Sequence, residues 1–199
     1  MRFTVPIVAL ILSYTWVLAP RTPRWASAVV TLVVLALGAW RAALTGEWGL
    51  RRSALWSAFV RTAAFTAAAV LVLCVAGASR GRVHHREDPW RDLLFLVPWA
   101  AGQQFALQTV LLREAQAVTS RGKGIAVAAA VFGVLHLPNP FLTAVTVVAA
   151  LFWCWIYDRH PNLLPLAVSH ALSTLAILHC LDPALTGRLR VGYAYLQLR

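Results

Sequence analysis

The sequence predicts an all-α, polytopic membrane protein: a transmembrane helical bundle of about seven helices. Three observations predict it. The 199 residues are 60% hydrophobic, and the mean hydropathy is +0.68. Only 13% are charged, about half the share in a soluble domain. The apolar residues fall into long runs, and runs of about 18 or more with few charges read as membrane helices.

The first run spans Phe3 to about Ala19, behind Met1-Arg2. Pro20-Arg21-Thr22-Pro23-Arg24 lacks the small residues of a signal cleavage site, so an uncleaved first helix is expected. The second run spans Trp25 to about Leu44. Gly46 to Arg52 then reads as a short interfacial stretch. The third runs from Ala54 to Ala78, with Arg61 placed to snorkel to the headgroups or face the bundle. Ser79 to Asp92 is the most polar segment and reads as a surface loop. The fourth run, Leu93 to Ala117, carries Gln103, Gln104 and Gln108. The fifth, Gly124 to Leu137, is short for a crossing and ends at Pro138-Asn139-Pro140. The sixth spans Phe141 to Tyr157 and the seventh Leu163 to about Leu181. The organisation expected is one integral membrane domain over 1–199, with N-terminal helices at 1–78 and a core bearing the polar residues at 93–181.

The formal charge of +11 comes from seventeen arginines and one lysine against seven acids. Arginines scattered at helix ends match anionic headgroups rather than a phosphate backbone, so the lipid bilayer is the expected partner and nucleic acid is excluded. They divide evenly between the two sides, and the positive-inside rule gives no orientation. Cys74, Cys154 and Cys180 each sit in an apolar run. Their number and spacing fit no zinc or disulfide framework, and buried free cysteines usually pack as small hydrophobes.

Polar side chains inside these runs are costly and tend to face a protein interior or a wet cavity. At helical spacing, Gln104 and Gln108 share a face, with Gln103 about 100° round. The plain alternative is interhelical hydrogen bonding, at about 0.6–2 kcal/mol per bond. His136 follows Phe132 by one turn and precedes the Pro-Asn-Pro break, where freed backbone groups need protein or water. His170 has Thr174 one turn on. A lone histidine on an apolar helix is more often a satisfied core residue; two of them beside polar partners on separate helices point to a shared site. His84-His85, His160 and His179 are weaker candidates.

Phe132-Gly133-Val134-Leu135-His136 resembles the Phe-x-x-x-His motif of the CAAX-protease and bacteriocin-processing family, which includes the Ras-converting endopeptidases. His170-Ala171-Leu172-Ser173-Thr174 resembles its His-x-x-x-Asn/Asp motif, with Thr174 at the last place. Trp48-Gly49-Leu50-Arg51-Arg52 is similar to the Gly-Leu-Arg stretch before the family core. The family's Glu-Glu-x-x-x-Arg is replaced by Gln103-Gln104-Phe105-Ala106-Leu107-Gln108.

The resemblance implies a CAAX-protease-like core and an intramembrane endopeptidase of the CAAX-processing type. Its substrate would be a membrane-embedded or lipid-modified peptide, and its home a bacterial cytoplasmic membrane. It implies catalytic roles for His136, His170, Gln103 and Gln104, and substrate contacts by Gln108, Asn139, Thr174 and Phe132. A carboxamide has no useful basicity, so the proton-accepting part falls to His136 or His170. Glutamine can orient water or donate to an oxyanion. No cofactor is expected: two histidines without a carboxylate make a poor zinc site, so a divalent metal is unsupported. Glu114 is about 15 Å along the helix from Gln104 and is rejected as the base. The alternative is a non-catalytic relative that binds a hydrophobic peptide or isoprenoid group as scaffold, chaperone or immunity factor. A transporter would need helix-breaking or charged residues at matched places in two halves, which the chain lacks.

Overall fold

The structure is a computed structural model that describes residues 1–81 and 88–198. The two histidines expected in a loop, His84 and His85, lie outside the described residues. Nine α-helices form among those described. α1 (Thr4–Ser13) runs on through a π turn (Tyr14–Leu18) and a 3-10 turn (Ala19–Arg21). α2 is Ala26–Thr45 and α3 is Leu55–Ala78. α4 (Pro89–Phe105) passes without a break into a π segment (Ala106–Leu112) and then α5 (Arg113–Val118). α6 is Arg121–Val134, α7 Pro140–Arg159, α8 Leu163–Cys180 and α9 Tyr193–Leu196. No strand occurs among the described residues, only one antiparallel bridge between Leu50 and Asn162.

Five helical stretches are long and apolar enough to cross a membrane: Thr4–Arg21, Ala26–Thr45, Arg52–Ala78, Pro140–Arg159 and Leu163–Cys180. They coincide with the first, second, third, sixth and seventh runs. The fifth run falls short because α6 has 14 residues, about 21 Å of helix against a hydrocarbon layer of about 30 Å. The continuous helix from α4 through α5 carries Arg91, Asp92, Arg113 and Glu114 as well as its glutamines. Large apolar side chains such as Leu32, Trp56, Leu71, Val72 and Leu94 are exposed. A soluble monomer rarely leaves such surface open to water. The chain is an integral membrane protein.

Two compact units divide the chain. The first consists of Met1–Trp48, Phe105–Cys154 and Leu189–Arg199; the second of Gly49–Gln104 and Trp155–Arg188. In the first unit, Ile7, Ala42, Leu107, Leu112, Ala115, Ala129 and Ala150 are buried. A carboxylate starts its first helix. Glu114 accepts hydrogen bonds from the backbone N–H of Phe3 (3.0 and 3.1 Å) and of Thr4 (2.9 Å). These are orphan donors of the α1 N-terminus, where negative charge is favoured. Nearby in sequence, Arg113 approaches Glu47 at 3.6 Å, and Arg41 bonds the same carboxylate at 3.2 Å.

In the second unit α3 and α8 run parallel. Leu163 N–H donates to Gly49 O (2.8 Å), and Arg51 N–H to Pro161 O (3.2 Å), at their N-terminal ends. Midway, Thr66 donates to Ser169 at 2.7 Å. At the C-terminal ends Gly77 lies against the backbone of Cys180, where any Cβ would overlap the carbonyl. Gly49 has φ +71, and a Cβ there would stand 2.7 Å from the Tyr157 hydroxyl. Both its backbone and its neighbours demand glycine. The Gly-Leu-Arg stretch read from the sequence is thus an antiparallel tie to the start of α8. Arg61 is exposed rather than turned into the bundle. Slight burial, then the charges of Arg61 and Arg159, hold His160 below its ordinary pKa.

Candidate active site

Within the second unit α4 and α8 bring Gln104 and His170 together. The Gln104 amide Nε2 lies 3.4 Å from His170 Nδ1, a long hydrogen bond, with both residues buried. An amide nitrogen donates and cannot accept, so Nδ1 carries the lone pair and the ring proton sits on Nε2. Trp99, one turn before Gln103, packs on the imidazole with ring centroids 5.2 Å apart. Pro98 sits inside α4 just before these residues. Its missing N–H and ring clash loosen the helical ladder there.

Gln103 and Thr174 belong to the same unit. Oε1 of Gln103 is buried with no hydrogen-bond partner, and so is the hydroxyl oxygen of Ser173. Thr174 is buried one turn beyond His170. Buried polar atoms without partners carry a desolvation cost of about 1–3 kcal/mol each. Bound water or a ligand group would relieve it. Ser169, just before His170, is fixed to Thr66 of α3, which sets the rotation of α8 at the imidazole.

The first unit holds Phe132, His136, Asn139 and Gln108. α6 ends at Val134, and His136 lies in the turn that follows. Its Nδ1 is 2.7 Å from the Phe132 carbonyl. A carbonyl only accepts, so Nδ1 bears the proton and Nε2 the lone pair. Phe132 is buried and meets the imidazole edge-on, with centroids 4.9 Å apart. That is a physical reason for an aromatic residue one turn before the histidine: it backs the ring whose proton its own carbonyl holds. His136 itself is partly exposed.

Asn139 was expected to contact substrate. Its side chain is buried and engaged with the backbone on both sides. Oδ1 accepts from Leu142 N–H at 3.0 Å, capping α7, and Nδ2 donates to Arg190 O at 3.0 Å. The Pro-Asn-Pro break therefore launches α7 and ties the turn to the C-terminal segment, where Gly192 N–H also donates to Leu137 O at 2.8 Å. Gln108 is fully buried in the π segment. There i→i+5 hydrogen bonding replaces the 3.6-residue turn, so the wheel that put Gln108 on the face of Gln104 ceases to apply. Thr109 sits beside it and donates to Phe105 O at 2.7 Å.

Trp99 and Ser173 escaped the sequence reading. Both signals were available: Trp99 lies one turn from Gln103, and Ser173 lies inside the His-x-x-x-Thr stretch. Glu114 is committed to the start of α1. Among the described residues no three His, Cys, Asp or Glu side chains stand together as a metal site.

Residues 89–176 match the family model for Rce1-like proteins, the type II CAAX prenyl endopeptidase Rce1-like family. No curated protein and no solved structure matches the chain. The matched segment runs from the start of α4 into the last turns of α8. It contains Gln103, Gln104, Gln108, Phe132, His136, Asn139, His170 and Thr174. Through this segment, 88 of its 199 residues, the chain is similar to the CAAX-protease family.

Proposed function

We propose that the chain is an intramembrane endopeptidase of the CAAX-processing type in which imidazole does the work of the family's glutamate. Its substrate is a membrane-associated or lipid-modified peptide, and its membrane the bacterial cytoplasmic membrane. The observation that carries this reading is the hydrogen bond from His136 Nδ1 to the Phe132 carbonyl, which leaves Nε2 as a proton acceptor. In the proposed reaction His136 Nε2 takes a proton from water as its oxygen attacks the scissile carbonyl. By resemblance to the family, the Nε2–H of His170 and the amides of Gln103 and Gln104 are assigned as donors to the oxyanion. The imidazolium then returns its proton to the leaving amine, and two chain ends are released. Donors aimed at a developing oxyanion in a dry site are worth about 10²–10³ in rate each. A positioned base is worth about 10²–10⁴.

A second reading has its own support. Glutamine stands at both places of the family's Glu-Glu pair, and Glu114 is occupied. A chain of that kind binds a hydrophobic peptide or isoprenoid group without cleaving it. The two readings separate on purified protein in bilayer discs, given a panel of farnesylated peptides, with and without a chelator. Product that appears with wild-type protein and is lost in His136→Ala supports hydrolysis. Saturable binding without product gives the second reading. Product that persists in both His136→Ala and His170→Ala overturns the catalytic assignment.

A further inference from the structure

The cysteines take no part in this chemistry, yet two of them meet. Cys74 lies one turn before the end of α3, and Cys180 is the last residue of α8. Their sulfurs are 2.8 Å apart, and both are free thiols. The approach is built into the backbone. Gly77, three residues after Cys74 and on the same face, brings α3 directly against the main chain of Cys180. After the tie of Gly49 to the start of α8 and that of Thr66 to Ser169, this is the third fastening between the two segments.

Cys180 is also reachable. A cavity of about 290 Å³ borders it, lined by Gly77, Arg80, Cys180 and Asp182 among others. Arg80 and Asp182 lie just past the ends of the two spans, where water meets the membrane. Cys74 is itself partly exposed, whereas Cys154 is buried in α7.

We infer that Cys74 and Cys180 are a reversible redox modification site, forming a disulfide that joins the C-terminal ends of α3 and α8. In the reaction both S–H bonds break and one S–S bond forms. Two electrons and two protons pass to the disulfide of a thiol–disulfide oxidoreductase, which leaves as a dithiol. α8 carries His170, so the bond fixes the free end of the helix that holds it.

The test uses the full chain in bilayer discs, treated with the thiol oxidant diamide or with a reductant. Denaturation and labelling with a polyethylene-glycol maleimide then count the remaining thiols. The reduced protein takes three labels, one for each free cysteine. After diamide one label is expected, on Cys154, together with a Cys74–Cys180 linked peptide in the digest. The Cys74→Ser variant is expected to keep its two labels under diamide. Three labels on oxidised wild-type protein, or linkage only between two copies of the chain, would overturn the inference.

Discussion

The two histidines are held in opposite ways. His136 gives its Nδ1 proton to a backbone carbonyl one turn behind it, in a turn after a short helix. His170 takes a hydrogen bond at Nδ1 from a side-chain amide, in the middle of a buried helix. The second nitrogen of each ring is therefore of opposite character: a lone pair on His136, an N–H on His170. The contrast teaches why glutamine at 104 is more than a lost acid. A glutamate there would accept from Nδ1, and would put the lone pair of His170 on Nε2. The amide selects the other tautomer and makes His170 a donor, while the Phe132 carbonyl makes His136 the acceptor.

Replacing each imidazole by asparagine breaks the comparison most severely. Asparagine keeps an N–H donor and has no basicity. His136→Asn is expected to lower processing by about 10³-fold, the range of a lost general base. His170→Asn is expected to cost about tenfold, since a donor remains where one donor in full is worth about 10²–10³. Rates of product release from a farnesylated peptide decide it. A larger loss in His170→Asn would reverse the two roles.

Gln104→Glu sharpens the contrast at smaller cost. The carboxylate accepts from Nδ1–H, so His170 turns to the tautomer of His136. The ¹⁵N shifts of labelled histidine in bilayer discs report which ring nitrogen bears the proton. Exchange of the two His170 signals is expected, with His136 unmoved. Processing should fall no more than about tenfold, because the new carboxylate can itself take a proton from water. An unchanged His170 spectrum would refute the part assigned to the Gln104 amide.

The helical membrane fold was legible because hydrophobicity has a length scale. Trp25 to Leu44 and Ala54 to Ala78 cannot be anything but spans, and their ends appear within a few residues as α2 and α3. The limits of α6 were legible in part, since Pro138 and Pro140 stop a helix by removing donors. Side-chain partners were not. Gln108 was placed by a 3.6-residue wheel, and the π segment that begins at Ala106 leaves no mark in composition. Asn139 read as a polar group free for substrate, because nothing in the sequence says that its two polar atoms meet Leu142 and Arg190. Tertiary partners at separations such as 51 residues are decided by packing, which periodicity does not encode. The same holds for Cys74 and Cys180, 106 residues apart, which spacing alone had left as ordinary packing residues.

Glu114 offers the mildest test, and it bears on the base. The acid nearest in sequence to the glutamines is the natural substitute for the family's glutamate. In the structure it belongs to the first unit's own architecture, with both oxygens on the N–H groups of Phe3 and Thr4. Glu114→Ala strips these donors of their acceptor and removes a negative charge from a helix N-terminus. Losses of this kind cost about 0.5–2 kcal/mol. A lower Tm in detergent is therefore expected. Glu114→Gln should keep part of the stability, since an amide oxygen still accepts one N–H bond. Processing per folded molecule should not change in either variant, because the charge acts on α1 and not on water. A carboxylate that served as the base would behave oppositely, with Glu114→Gln folding well and losing turnover by about 10²-fold or more. That result would move the proton acceptor from His136 to Glu114 and undo the tautomer argument at its root.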